Sequence, residues 1–302
     1  MNKQLDKCIY FNLDNNAFRG RIVRLNQTLS DIFSRREYPL NVSMAVAESA
    51  VLGTLFASLL KYDGLFTLQI QGDGPISVLV TDVTSAGKVR SCAKYDEDAM
   101  KKAQALRKTE GELEEAPFWL GKGVLIFTVD QGEATDLYQG VVDLQGKTLA
   151  DCAMRYFKNS EQIDTYLRLF KRQTPQGWET AAVLLQKMPT KGGNNAADEA
   201  QIAELWNENK ILLDSLKDEE IFSDSLSQED ILYRLFHEHE VRVIKESEYF
   251  FGCRCSREKL LNTLSAMSEN DINDMVENGK ITATCGFCGE KYYFEKSELI
   301  KH

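Results

Sequence analysis

Apolar residues in the first 189 positions follow two rhythms. In FTLQIQGDGPISVLVTDV (66–83) two β-branched runs flank a Gly-Asp-Gly-Pro turn, which predicts a hairpin. GVLIFTVD (123–130) and DLYQGVVDL (136–144) flank QGEAT in the same way. Helical spacing of three and four runs through 43–61, DEDAMKKAQALRK (96–108) and TLADCAMRYFKNSEQIDTYLRLF (148–170). WETAAVLLQKMP (178–189) predicts a closing strand. Strand pairs interspersed with helices, without strict βαβ alternation, favour an α+β fold over a doubly wound sheet.

The pattern changes after Pro189. TKGGNNAAD reads as a flexible break. Beyond it, Ile202, Leu205, Trp206, Leu212, Leu213 and Leu216 recur at helical spacing, and Ile231, Leu232, Leu235 and Phe236 make a second stripe. Ser227 and Asp230 fit a helix start. Stripes this short need something to lie on, because an isolated short helix is marginal in water. In the last sixty residues SREKLLNTLSAM and SENDINDMVENG predict helices, the second starting at Ser268 and Asp271 and stopping at Asn278-Gly279. KITATCGFCGEKYYF then reads as strand, cysteine turn, strand. The chain thus divides into an α+β domain (1–189), a helical linker (190–239) and a small C-terminal module (240–302).

Charge sharpens that division. Residues 1–189 carry 23 basic and 23 acidic side chains, 190–239 carry 4 against 12, and 240–302 carry 9 against 11. No segment has the basic surplus that counterion release demands, which argues against a nucleic-acid partner. The excess of eight negative charges in the linker opposes its compaction, so its folding depends on its neighbours. The N-terminus MNKQLDKCIYFNLDNN lacks a signal-peptide core. The longest apolar run, Ala45–Leu60, is short for a bilayer and carries Glu48, so it reads as a buried core helix and not as a membrane contact. A cytoplasmic location follows as the expectation, and with it a reducing environment for the seven cysteines.

Four of those cysteines cluster: Cys253 and Cys255 as C-x-C, Cys285 and Cys288 as C-x-x-C. A C-x-x-C turn beside Gly286 and Gly289 points backbone N–H groups at thiolates, and residues i and i+2 of an extended chain share one side. Each pair can therefore give two sulfurs to one tetrahedral Zn²⁺, one ion per chain, with no position left for water. Structural zinc contributes about 10–16 kcal/mol, against about 5–15 kcal/mol for a whole domain. A sixty-residue module should lose its fold with its metal. Each cysteine also has a near neighbour in sequence, so oxidation could link Cys253 to Cys255 and Cys285 to Cys288, and a strained C-x-C ring would be readily reduced again. A constitutive zinc ribbon and a reversible redox switch both fit this spacing.

FxCRCSREKL, followed by CGFCGEKYYF and preceded by LYRLFHEHEVRV, closely resembles a bacterial family of redox-regulated holdase chaperones, the thirty-three-kilodalton heat-shock proteins. Length, α+β region, acidic linker and cysteine spacing agree over essentially the whole chain. The resemblance implies that Cys253, Cys255, Cys285 and Cys288 bind zinc when reduced and close as Cys253–Cys255 and Cys285–Cys288 disulfides on oxidation. It also implies that the linker then unfolds and that a homodimer holds unfolding client proteins without ATP. It makes the protein a chaperone and not an enzyme, with no catalytic residue, and leaves the client-binding residues unknown. Two other readings stand beside it: a zinc ribbon with a fixed partner, and a thiol oxidoreductase using Cys285 and Cys288, against which the zinc demand and the lack of a βαβ context count.

The remaining candidates are weaker. Cys8, Cys92 and Cys152 lie apart and read as buried or half-buried thiols. His237 and His239 read as a polar helix face, since four cysteines saturate the metal, and His302 is terminal. S-x-x-K occurs at Ser58, Ser91 and Ser256 without companion motifs. No phosphate-binding loop is present, consistent with ATP independence. Tyr292, Tyr293 and Phe294 read as the small core of the cysteine module.

Overall fold

The computed structural model describes residues 6–105, 115–132, 137–189, 196–277 and 279–299, and the fold is α+β. Its described strands are β1 (Lys7–Leu13), β2 (Phe18–Leu25), β3 (Leu65–Gly72), β4 (Ile76–Thr84), β5 (Lys88–Tyr95), β6 (Gly123–Asp130), β7 (Tyr138–Asp143), β8 (Thr165–Thr174), β9 (Gly177–Lys187), β10 (Arg242–Glu248), β11 (Phe250–Phe251), β12 (Lys280–Thr284) and β13 (Lys291–Glu295). They form a five-stranded sheet in the order β10-β1-β2-β9-β8, a six-stranded sheet in the order β11-β5-β4-β3-β6-β7, and a β12–β13 hairpin.

The helix Leu40–Leu59 lies between the two large sheets, against β4 and β5 on one side and β2 and β9 on the other. It is buried from Asn41 to Ser58 without a break. Apolar and small residues on every face suit it to that position. At 20 residues it is long and apolar enough to cross a membrane, more than the 45–60 run suggested. Here it is the core of a folded domain. Ser49, Thr81 and Ser91 run a hydroxyl chain from this helix into β4 and β5, at 2.8 Å per link, and so pair with one another inside the core.

Alternation along the five-stranded sheet divides it between two cores. Cys8, Val23, Ala182 and Leu184 face the central helix. Ile9, Phe11, Phe18, Ile22, Val183 and Leu185 face the other way. Onto that second face fold the acidic helices Ala196–Ser215, Asp218–Ile221 and Gln228–Phe236, bringing Leu213, Leu216, Ile221, Ile231, Leu232 and Phe236. Phe236 stacks on Phe11 and Trp206 on Phe18. Gly20 makes room for this packing: a Cβ there would stand 2.1 Å from the Phe11 ring. Both sequence stripes of the linker therefore have a surface to lie on.

Both anticipated hairpins are present as β3–β4 and β6–β7. The single helix expected over 148–170 is not. A helix capped by the Thr148/Asp151 box runs from Leu149 to Tyr156, widens over Phe157–Glu161, and ends at Gln162 in the left-handed region (φ 54°). Thr165–Thr174 is strand β8. The Trp178 segment is an interior strand, flanked by β2 and β8, and does not close the sheet. The 240–302 stretch begins with two strands of the large sheets: β10 pairs with β1 and β11 with β5. Outside the described residues lie parts of the break after Pro189, of the 96–108 helix and of the QGEAT turn with Asp136, and also Asn278. His302 lies outside them altogether.

Candidate metal and redox centre

Four cysteines come together where the chain leaves β11 and where β12 turns into β13. Gly252 carries the chain across Lys88 of β5, its N–H donating to the Val89 carbonyl at 3.0 Å. Cys253-Arg254-Cys255 follows, and Ser256 caps the helix Arg257–Ser265 by accepting the Lys259 N–H. The second pair sits in the β12–β13 turn. There Gly289 N–H donates to Cys285 O and Cys285 N–H to Glu290 O, both at 2.9 Å. Gly289 adopts φ +71°, which glycine reaches at no steric cost. Leu264, Ile272, Ile281, Phe294 and Leu299 are the buried apolar residues behind this turn. Phe294 thus serves the small core as the sequence suggested, Tyr292 packs beside it, and Tyr293 is exposed.

All four sulfurs lie within 4.8 Å of one another. Cys253 and Cys255 are 3.4 Å apart, Cys255 and Cys288 3.5 Å, Cys253 and Cys285 3.7 Å. Tetrahedral sulfur ligands at about 2.3 Å from a metal would be about 3.8 Å apart. The donor set therefore fits a four-coordinate thiophilic cation. Its electrostatics point the same way. Burial would push the Cys253 thiol up, but the Cys255 backbone and thiol and the Arg90 guanidinium bring it down to about 7. Cys255 and Cys288 are both raised, by burial first. A divalent cation among the four sulfurs would favour their thiolate forms.

The cluster is also fastened to the α+β domain. Arg90 of β5 points Nη1 at Cys253 Sγ, 3.7 Å away, and its guanidinium lies over the Phe287 ring, 3.9 Å from the centroid. Asp82 on β4 grips the same guanidinium through Oδ2, at 2.8 Å from Nε, and itself accepts from Thr67 at 2.7 Å. Arg36 donates to the Gly286 carbonyl at 2.6 Å. Tyr292 O–H donates to Cys255 Sγ at 3.2 Å. Arg36, Asp82 and Arg90 all lie outside the two cysteine motifs. Arg90 is separated from Cys253 by 163 positions, and only the pairing of β11 with β5 brings them together.

The other candidates stay apart from the cluster. Cys8 and Cys152 are buried and Cys92 half-buried, and burial pushes their thiols to about 12, 11 and 12 respectively. Ser58 donates to Leu55 O and Ser91 belongs to the hydroxyl chain, so neither has an arrangement for acyl transfer. His237 is exposed beside Glu238. His239 departs from the expected polar face: it is 3% exposed, with Nδ1 3.1 Å from Asp14 in the β1–β2 turn. Asn209 donates to the same carboxylate at 2.9 Å, so two points of the linker grip one turn.

A family model described as Hsp33 protein matches residues 6–295. The 33 kDa chaperonin of Caulobacter vibrioides is 34% identical over 288 residues, covering 93% of this chain and 92% of the relative. That of Pseudomonas fluorescens is 32% identical over 293 residues, covering 96% and 91%. Among solved structures, the crystal structure of the 33 kDa chaperonin of Thermotoga maritima superposes with a TM-score of 0.79 at 22% identity, covering 97% of this chain and 96% of that one.

Proposed function

The chain belongs to the Hsp33 family of chaperones, which are not enzymes, and within it we propose a cytoplasmic, redox-regulated, ATP-independent holdase for unfolding proteins. One observation carries the reading: four thiols converge on a point beside a small cluster of five buried apolar residues among those described. Cys253, Cys255, Cys285 and Cys288 are its ligands for one Zn²⁺, which supplies a closed structural cross-link and no reactive water.

Oxidation acts on the same sulfurs. Two thiolates give a pair of electrons to a peroxide, a sulfur–sulfur bond forms, and with two protons the peroxide leaves as two waters. Closing Cys253–Cys255 and Cys285–Cys288 consumes every donor, so the module keeps neither its cation nor its fold. The linker 190–239 runs straight into that module, whose first strands, β10 and β11, lie on the large sheets. Once undocked, it uncovers Phe11, Phe18, Ile22, Val183 and Leu185 on the sheet together with its own Leu, Ile and Phe side chains. Both surfaces suit apolar stretches of unfolding chains, and the linker's negative charge limits self-association. The active form is a homodimer, with neither nucleic acid nor membrane as partner. The domain 1–189, the linker 190–239 and the module 240–302 act as support, cover and trigger.

The test compares reduced protein with protein treated with peroxide under mild warming. One zinc per chain should fall to none, the two adjacent disulfides should appear, and suppression of client aggregation should rise. Retained zinc or unchanged suppression would overturn the reading. Disulfide mapping separates this pairing from the crossed pairs Cys253–Cys285 and Cys255–Cys288, whose sulfurs are also close.

A further inference from the structure

Between the last linker helix and Cys253 the chain runs along the edges of both large sheets in succession. β10 is the outer strand beside β1, and β11 the outer strand beside β5. Tyr249 N–H donates to Asp6 O at 2.8 Å, Phe250 N–H to Gly87 O and Gly252 N–H to Val89 O at 3.0 Å. This strap, Arg242–Gly252, ends at the first switch cysteine.

β10 is attached chiefly through its backbone. Every residue from Arg242 to Glu248 is exposed except half-buried Ser247, and Val243 and Ile244 stand in solvent. Its side chains reach the domain at the surface, as in the Lys7–Glu246 ion pair at 3.0 Å and Lys245 over the Tyr10 ring. The ladder is also interrupted: Tyr10 faces Lys245 and Phe11 faces Val243, which leaves Ile244 as a bulge. The seat beside β1 thus holds an extended segment with little regard for its side chains, the property required of a site for varied unfolded chains.

We propose that the strap is a removable edge strand, and that the β1 edge it vacates takes an extended, apolar-polar segment of an unfolded protein by antiparallel backbone pairing. This rests on the holdase reading and names the surface. Loosening the linker and the cysteine module frees both ends of β10. Bare β1 then offers a row of unpaired N–H and C=O groups, with Ile9, Phe11 and Leu13 on the face that the linker has left.

Glu246 and Ser247 are adjacent, so one of them turns its N–H toward β1 and the other toward solvent. Proline at the inward position deletes a ladder bond, whereas at the outward position it deletes none. In reduced, zinc-loaded protein, whichever of Glu246→Pro and Ser247→Pro is inward should speed hydrogen exchange of the β1 amides. It should also bind a permanently unfolded probe, reduced carboxymethylated α-lactalbumin, at least tenfold tighter than the outward variant, and saturating probe should slow the β1 amides again. Equal binding by the two variants, or β1 amides that stay fast in the complex, would overturn the proposal. Oxidised wild-type protein provides the same exchange test without a substitution: β1 amides that remain fast with probe bound sink it. If oxidised protein keeps its zinc and binds no probe, the holdase reading fails, and the proline pair alone decides the fate of the edge.

Discussion

Replacing Phe236 by alanine separates docking of the linker from oxidation of the cysteines. The ring is fully buried in the linker core, stacked on Phe11 with centroids 6.2 Å apart. Burying a phenylalanine is worth about 1.5–3 kcal/mol in transfer free energy. The cavity it leaves raises the loss to about 3–5 kcal/mol. At about 1.4 kcal/mol per tenfold change, the docked-to-undocked ratio should fall on the order of a hundred- to several-thousandfold. The cysteine cluster is untouched, as is the central-helix core, because Phe236 belongs to neither. The assay is hydrogen exchange over residues 200–236 in reduced, zinc-loaded protein, beside client aggregation. Linker amides should lose protection while those of Leu40–Leu59 keep theirs, and suppression of aggregation should appear without oxidant. Unchanged linker protection would refute the packing argument. Lost protection without gained activity would refute the link between undocking and function.

Arg90→Met with Asp82→Asn removes the clasp on Cys253 and Phe287 without stranding a buried charge. Hydrogen bonds to charged groups contribute about 1.5–3 kcal/mol, so exchange across Gly286–Gly289 should quicken at least tenfold with zinc content unchanged. Asp230, in the capping box with Ser227, is held below its ordinary carboxylate range by the Ser227 backbone and hydroxyl. A depressed carboxyl stabilises the helix above its unfolded-state pKa and loses that effect as pH falls through the folded value. Linker protection should accordingly drop in acid, and Asp230→Asn should flatten the dependence. Cys8, Cys92 and Cys152, their thiols raised by burial, should remain reduced under peroxide that closes the cluster, as mass mapping after alkylation would show.

The cysteine cluster was legible because its four thiols travel in two short motifs, where local geometry fixes each pair and only one long-range closure is needed. The linker stripes were legible for a similar reason: helical spacing reports that a face is covered. Much of what covers it lies about 190 to 225 positions earlier, in alternate residues of β1 and β2 that carry no helical period. The 148–170 stretch misled because Tyr166, Leu167 and Phe170 continue the spacing of Leu149, Cys152 and Tyr156, while the break rests on one left-handed residue, Gln162. His239 sits among charged residues in FHEHEV and is nonetheless buried, since its partner Asp14 arrives from a distant turn. Arg90 gave no signal. Contacts made by sheet edges across more than a hundred residues leave no local trace.

The alternation along β1 bears on how such a protein can change over generations. Cys8 answers to the central helix, so substitution there puts folding at risk. Ile9, Phe11 and Leu13 answer to the linker, so substitution there mainly resets how firmly the cover is held. Neighbouring positions of one strand therefore answer to different cores. On the proposed function, every second residue of β1 would set how readily the cover is released, with the scaffold and the four cysteines left alone.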